Sequence, residues 1–175
     1  EQALRVDPSL TGAWRNLGAL LRKRGESAKA RHCTEQALKL DANDGSLWGN
    51  YGNVLRDQGH LEESCQAFEE GLKRSPGSKG LLQGLAISLG RQGEHQKVLQ
   101  LLTPLVDQAL PRSGASDNAL ADLLLELGNA HHALGQENLA LQRWQQGTDG
   151  AEGEKRLHMG LNIAQVLCGR KRFEE

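Results

Sequence analysis

The side chains best suited to chemistry in this sequence are three cysteines and an adjacent pair of histidines. Cys33, Cys65 and Cys168 form an odd number of thiols without C-x-x-C spacing, which argues against a disulfide framework and against a zinc site. His131 and His132 are consecutive, so on a helix they point about 100° apart and do not converge on one metal ion. We therefore expect reduced thiols, packed or solvated histidines, and no metal or other cofactor.

Two short segments have the composition of ligand-binding loops without the required spacing. Residues 76–80 hold glycine and lysine, but not in the G-x4-G-K-[ST] order that wraps a phosphate. Residues 41–45 resemble the start of a calcium loop, yet the glycine comes one place early and Gly52 stands where the closing glutamate belongs. No nucleophile or carboxylate has a recognisable base and orienting group at a known spacing. The sequence predicts a protein that is not an enzyme.

Composition and charge exclude partners that are recognised by bulk electrostatics. The chain of 175 residues has 21 Lys and Arg against 22 Asp and Glu, so its net charge is -1 and no field attracts nucleic acid. No apolar run approaches the roughly 18 residues of a membrane span, and residues 1–10 do not read as a signal peptide. We expect a cytoplasmic protein without nucleic-acid partners or membrane insertion.

An internal repeat organises the chain. The segment Trp14-Arg-Asn-Leu-Gly18 recurs as Trp48-Gly-Asn-Tyr-Gly52. The interval from position 14 to position 48 also separates Gly25 from Gly59. Weaker copies follow, and the fourth is displaced by eight residues. We divide the chain into one array: the end of a preceding repeat (1–10), repeats at 11–44 and 45–78, a degenerate repeat at 79–112, an insertion at 113–120, a repeat at 121–154 and a truncated repeat at 155–175. Both ends read as cuts through a longer array.

Each unit of the repeat predicts two helices. Trp14, Leu17 and Leu21 are spaced by three and four residues, which places them on one helical face that ends before Gly25. A second amphipathic segment runs from residue 26 to residue 40. Neither helix buries its apolar stripe alone, so the two must pair and stack on neighbouring pairs in a solenoid.

Irregular positions appear in the second half of the chain. Pro104 falls inside a predicted helix, where we expect a kink or an early end. Residues 111–116 predict a loop, after which Ser116 or Asp117 can cap a longer helix. A further loop is predicted from three glycines: Gly147, Gly150 and Gly153.

At the repeated positions the sequence resembles the tetratricopeptide repeat family, whose unit has a W-x2-L-G-x2-Y, A-x3-F, A, P pattern. The second unit carries the resemblance at Trp48, Tyr51, Gly52, Ser64, Phe68 and Pro76. The resemblance implies an all-α fold, a right-handed α-solenoid of stacked antiparallel helix pairs. It also implies a concave groove lined by the first helix of each pair, and a scaffold that binds proteins without catalysis.

The polar positions of the first helices are the candidate binding residues. Asn16 and Asn50 are one repeat interval apart, so they form a step in a ladder of amides similar to that of the O-linked N-acetylglucosamine transferase family. An amide donates and accepts at once, as a peptide backbone requires. The predicted peptide-binding residues are Arg15, Asn16, Asn50, Asn53, Arg56, Gln83, Arg91, Glu126 and Asn129.

We expect these residues to bind an extended or helical peptide segment of a protein partner in the groove. Basic side chains prevail in the first three units and Asp122 and Glu126 in the fourth, so an acidic part of the ligand should lie near the amino-terminal units. Two alternatives stay open at this point. One is a substrate-recruiting region of a larger transferase, and the other is self-association through uncapped ends.

Overall fold

The computed structural model describes residues 7–110 and 117–171, and these residues form nine α-helices and no strand. The predicted all-α class is confirmed. The helices are α1 (Thr11–Lys23), α2 (Ser27–Leu40), α3 (Gly45–Asp57), α4 (Leu61–Arg74), α5 (Lys79–Arg91), α6 (His95–Ala109), α7 (Asn118–Ala133), α8 (Glu137–Gly150) and α9 (Gly153–Lys171).

The chain divides into two compact units, an amino-terminal unit of residues 1–92 and a carboxy-terminal unit of residues 93–175. In the amino-terminal unit α1 packs on α2, α3 packs on α4, and α5 packs against α4. In the carboxy-terminal unit α7 packs on α6 and on α8, and α9 packs on α8. Each unit is therefore a stack of antiparallel helices in chain order, as a solenoid requires.

Glycines with positive φ follow four of the described helices. Gly25, Gly59, Gly93 and Gly135 have φ between 72° and 83°, a left-handed conformation that glycine adopts without steric cost. Each glycine comes directly after the C-cap residue of a helix; these C-cap residues are Arg24 of α1, Gln58 of α3, Gln92 of α5 and Leu134 of α7. The first three recur at the repeat interval, so the repeat in the sequence corresponds to a repeated turn in the structure.

Small residues set the distance between the two helices of a pair. A Cβ added to Gly52 would lie 2.9 Å from the Phe68 ring, and the Ser64 hydroxyl donates a 2.8 Å hydrogen bond to the Gly52 carbonyl. In the preceding pair a Cβ added to Gly18 would lie 3.1 Å from the Thr34 methyl group. The first and second helices thus approach as closely as the backbone allows.

The large aromatic residues differ in burial. Phe68 and Trp144 are only 1% exposed and fill the space within their helix pairs. Trp48 is half-buried, because its indole N–H donates to the Ala42 carbonyl at 2.9 Å and Arg74 lies 5.0 Å above its ring. Trp48 therefore lies at the edge of the core and not inside it.

Two predicted interruptions are not loops. Helix α6 continues through Pro104 to Ala109, so the expected early end is wrong; the proline is exposed, while Val98, Leu102 and Val106 form a continuous buried stripe. Helix α8 continues through Gly147 to Gly150, so the expected loop is wrong at these two glycines and is confined to residues 151 and 152. A Cβ on Gly147 would lie 2.6 Å from the Met159 sulfur, and the glycine therefore serves close packing with α9.

Other local expectations have a definite outcome. Asp117 caps α7, since its carboxylate accepts a 3.0 Å hydrogen bond from the Leu120 N–H, and that prediction is confirmed. Cys33 and Cys65 are buried, whereas Cys168 is exposed. The expected loop at 111–116 and most of the first ten residues lie outside the described residues, and the predicted insertion at 113–120 lies partly outside them.

Candidate functional site

The first helices of neighbouring pairs touch one another in each unit. Helix α1 contacts α3 and α3 contacts α5 in the amino-terminal unit, and α7 contacts α9 in the carboxy-terminal unit. Polar positions that repeat along these helices are therefore brought side by side. We call the residues of the amino-terminal unit that were predicted to bind peptide the amino-terminal polar face: Arg15, Asn16, Asn50, Asn53, Arg56, Gln83 and Arg91.

Two side-chain amides of this face have no hydrogen-bond partner among the described residues. Asn16 is exposed and Asn50 is half-buried, and neither side chain makes a hydrogen bond to another described residue. They stand on α1 and α3, which are in contact. Gln83 on α5 is half-buried and Arg91 at the end of that helix is exposed. Each amide offers two N–H donors and one carbonyl acceptor, which matches the donors and acceptors of a peptide backbone.

Asn53 and Arg56 are used within the protein. The Arg56 Nη2 donates to the Asn53 Oδ1 at 2.6 Å, and Nη1 donates to the Gly84 carbonyl of α5 at 3.3 Å. The guanidinium also lies over the buried Phe68 ring, with Cζ 5.7 Å from the ring centroid. Sequence reasoning treated Arg56 as a group that faces an acidic ligand, whereas the structure places it as a bridge between α3 and α5.

Two ion pairs cross from α1 to the next pair. Arg15 lies 3.8 Å from the Asp44 carboxylate, and Arg22 lies 3.5 Å from that of Asp57. Hydrogen bonds from Ser46, and behind them the charge of Arg15, lower the pKa of Asp44, which caps α3. The four side chains are between 31% and 44% exposed, so both pairs remain open to solvent and to a charged ligand.

The carboxy-terminal unit holds a separate polar cluster around Asn129. Its Oδ1 accepts hydrogen bonds from the Trp144 indole N–H at 3.2 Å and from the Asn162 amide at 3.3 Å. Glu126, one turn earlier on α7, is half-buried. A pocket of about 240 Å³ opens beside this cluster, lined by Asn129, His132, Trp144, His158, Asn162 and Gln165.

The histidine pair diverges as its adjacent positions predict. His131 is buried, with Nδ1 2.7 Å from the Gln136 amide oxygen, whereas His132 is exposed and its ring centroid lies 5.6 Å from that of Trp144. Among the described residues no three metal-binding side chains come together. Sequence reasoning treated His132 as a solvated side chain and missed the pocket, since His158 belongs to another helix, α9, and no motif links the two.

Comparison with known proteins establishes the family. A profile described as tetratricopeptide repeat matches residues 46–159, and a second profile of the same description matches residues 12–44. The chain belongs to the tetratricopeptide repeat family. The resemblance drawn from the repeated residues is confirmed, and with it the all-α solenoid class. No curated protein matches the chain.

Solved tetratricopeptide repeat structures share the fold at low sequence identity. The type IV pilus biogenesis factor PilW is 20% identical with a TM-score of 0.75, over 95% of this chain and 74% of PilW. A thermophilic tetratricopeptide repeat protein of Thermus thermophilus is 16% identical with a TM-score of 0.73, over 96% and 87% of the two chains. MamA of Desulfovibrio magneticus RS-1 is 19% identical with a TM-score of 0.69, over 94% and 89%.

Membership in the family defines the general role of the chain. Tetratricopeptide repeat proteins are scaffolds for protein–protein interaction, and their stacked helices present an extended surface to protein partners. Within residues 7–110 and 117–171, no helix has the length and apolar character that crossing a membrane requires. The fold alone does not identify the surface that a partner contacts, and that assignment depends on the side chains described above.

Proposed function

We propose that the chain binds an extended or helical peptide segment of a protein partner on its amino-terminal polar face, without catalysing a reaction. The observation that carries this proposal is the pair Asn16 and Asn50, whose amides lie on touching helices and make no hydrogen bond to any other described residue. An extended peptide presents alternating N–H and C=O groups, and a side-chain amide pairs with both.

The arginines of the face, together with Arg22 beside it on α1, favour an acidic ligand. Arg15, Arg22 and Arg91 lie on α1 and α5, and the first two are only partly neutralised by Asp44 and Asp57 at 3.8 and 3.5 Å. A carboxylate of the ligand competes with these aspartates for the guanidinium groups. Because the arginines are solvent-exposed, they contribute to the association rate and to specificity more than to affinity.

Arg56 has a different role in this proposal from that of the other arginines. Its hydrogen bonds to Asn53 and to Gly84 hold the Asn53 side chain in one orientation and join α3 to α5. A ligand that meets an oriented amide loses less conformational entropy on binding than one that must order it. We therefore assign Arg56 to positioning Asn53, and we assign peptide contact to Asn16, Asn50 and Asn53.

A pull-down from source-cell lysate tests the proposal. The chain is compared with an Asn16→Ala, Asn50→Ala double variant and with Gln66→Ala, which removes an exposed amide from α4 on the second-helix side. All three should unfold at the same urea concentration. We expect one or more proteins to be retained by the chain and by Gln66→Ala and lost from the double variant. Equal retention by all three folded proteins would contradict the proposal.

Self-association is the second candidate, and an apolar face on α9 favours it. Leu157 and Leu161 are 64% and 59% exposed and one helical turn apart, and Leu167 is 44% exposed. Exposed apolar patches of this kind occur at protein interfaces. Sedimentation over a range of concentrations separates the candidates: a mass that rises with concentration in the chain and not in Leu157→Glu, Leu161→Glu supports self-association, and a constant mass contradicts it.

A further inference from the structure

The two units contain one helix pair each that can be compared position by position. Four positions of α3 and α4 correspond to four positions of α7 and α8 at one constant offset, which equals two repeats plus the eight-residue displacement, and two of the four hold the same residue. The corresponding residues are Gly52 and Gly128, Asn53 and Asn129, Arg56 and His132, and Phe68 and Trp144. The packing agrees with this alignment, since a Cβ on Gly52 or Gly128 would lie 2.9 or 2.4 Å from the aromatic ring of its own pair.

In the amino-terminal pair a guanidinium group occupies the space beside the aromatic ring. Arg56 Cζ lies 5.7 Å from the Phe68 centroid, and the guanidinium nitrogens donate to the Asn53 Oδ1 and to the Gly84 carbonyl on the next first helix. The group thus lies between the ring, an amide of its own helix and the neighbouring helix α5. The planar guanidinium therefore has hydrogen-bond acceptors for its N–H groups on two sides.

In the carboxy-terminal pair the same position lacks the guanidinium. His132 is shorter than an arginine, and its imidazole covers the Trp144 ring at 5.6 Å between centroids. The space that a longer side chain would fill is the pocket of about 240 Å³ described above. That volume is below the roughly 300 Å³ at which pockets for drug-sized ligands begin, so it suits a single side chain.

We propose that this pocket binds an arginine side chain of the protein partner, with its guanidinium in the position that corresponds to that of Arg56. The Asn162 and Gln165 amide oxygens supply acceptors, and the rings of His132 and His158 supply flat surfaces on which a guanidinium stacks. No lysine or arginine is among the six lining residues, so the pocket offers a carboxylate no permanent counter-charge. A lysine ammonium lacks the planar shape that stacks on these rings.

The partner's identity as a peptide rests on the proposed function, but the pocket and its preference for a guanidinium do not. The pocket lies wholly in the carboxy-terminal unit, whereas Asn16 and Asn50 lie in the amino-terminal unit. The two proposals can therefore fail separately.

The Trp144 indole N–H is a direct reporter, because it lines the pocket and donates to Asn129. Its NMR signal is followed in the intact chain during titration with N-acetyl-arginine amide, and the indole signals of Trp14 and Trp48 serve as internal controls. We expect a saturable shift of the Trp144 signal alone, with Kd about 1 to 10 mM, which suits a ligand of this size. An unchanged Trp144 signal, or equal shifts of all three signals, would overturn the proposal.

Matched ligands and variants complete the test. N-acetyl-citrulline amide, which is neutral, and N-acetyl-lysine amide should each bind at least about 5-fold more weakly; binding as tight as that of the arginine compound would overturn the guanidinium assignment. His132→Arg supplies the pocket with its own guanidinium, as Arg56 does, and should abolish the Trp144 shift, whereas an undiminished shift would contradict the site. Gln165→Leu removes one acceptor and should weaken binding about 3-fold; unaltered binding would contradict its role.

Two further arms identify the source of the arginine. Free L-arginine should bind no more tightly than the blocked compound, and tighter binding of the free amino acid would overturn the assignment to a partner side chain. The Asn16→Ala, Asn50→Ala variant should give the same Trp144 shift as the unmodified chain. Loss of peptide binding in that variant with the arginine response intact supports both proposals. Loss of the arginine response there would contradict the independence of the pocket.

Discussion

Arg22 of α1 and Asp57 of α3 lie 3.5 Å apart, nitrogen to oxygen, between the first helices of two neighbouring pairs. Their side chains are 31% and 38% exposed, so the ion pair contributes roughly 0.2 to 1 kcal/mol to stability and is screened by salt. Asp57 neutralises a guanidinium that an acidic ligand would otherwise meet. This pair therefore limits the attraction of the amino-terminal polar face for carboxylates.

Asp57→Asn should strengthen binding of an acidic peptide by about 2- to 5-fold at low salt, because the Arg22 charge is then uncompensated. The dissociation constant is measured by fluorescence titration at low salt and at high salt, and the gain should vanish at the higher concentration. Glu69→Gln removes an exposed carboxylate from α4 and is the matched control. A gain of the same size in that control would show that only net charge matters.

Gly84 of α5 is predicted to be a position that does not tolerate a methyl group. A Cβ there would lie 2.2 Å from the Phe68 ring, so Gly84→Ala forces the ring or α5 to move and should destabilise the chain by about 1 to 3 kcal/mol. Gly90→Ala on the same helix meets no atom within 4 Å and should stabilise the chain by up to about 0.5 kcal/mol. Urea midpoints of the two variants should move in opposite directions; a shift in the same direction would contradict the close contact.

Phe68 and Trp48 should differ in their contribution to stability. Phe68 is 1% exposed, so Phe68→Ala should cost about 3 to 5 kcal/mol. Trp48 is half-buried, and Trp48→Ala should cost about 2 kcal/mol. Trp48→Phe keeps an aromatic ring and loses only the hydrogen bond to the Ala42 carbonyl, so it should cost roughly 1 kcal/mol. Denaturant unfolding gives the three values. A larger loss for Trp48→Ala than for Phe68→Ala would show that the burial is assigned incorrectly.

Asp44 should make part of the free energy of unfolding depend on pH. Hydrogen bonds from Ser46 and the charge of Arg15 lower the pKa of Asp44 in the folded chain, so its contribution is present above the ordinary carboxyl pKa and is lost as the pH falls through the lowered value. Asp44→Asn keeps a helix cap but does not titrate. Urea midpoints measured from neutral pH down through the carboxyl range should fall less steeply with acid in the variant. Identical slopes would contradict the assignment.

Much of the fold could be predicted from the sequence because the residues that pack the two helices of a repeat recur at fixed positions within it. Trp48, Gly52 and Phe68 occur at the family spacing, and in the structure the Gly52 backbone lies against the Phe68 ring. The glycine turns are predicted for a similar reason, since a local conformation with positive φ requires a particular residue. The loop prediction at Gly147 is wrong, because a glycine that permits contact with Met159 has the same sequence signature as one that breaks a helix.

The candidate site was less accessible to sequence reasoning. Polar positions on the first helices could be named, but whether a side chain is available depends on partners far along the chain, as the bond from Arg56 to Gly84 shows. The pocket beside His132 corresponds to the space that the longer side chain of Arg56 occupies in the α3–α4 pair. Only the comparison of Arg56 with His132 between the two helix pairs reveals it, and the displacement by eight residues conceals that correspondence.

The central claim is that the amino-terminal polar face binds peptide through the side-chain amides of Asn16 and Asn50, which make no hydrogen bond to another described residue, and Asn50 is the residue that tests it most directly. A peptide selected on the intact chain from a displayed library is titrated against the chain, against Asn50→Ala and against Gln66→Ala. We expect Asn50→Ala to weaken binding about 5- to 10-fold, which corresponds to the loss of one or more hydrogen bonds. The urea midpoint of Asn50→Ala should stay unchanged, and Gln66→Ala should bind the peptide as tightly as the unmodified chain does. Equal affinity in all three proteins, or a large loss of stability in Asn50→Ala, would contradict the claim.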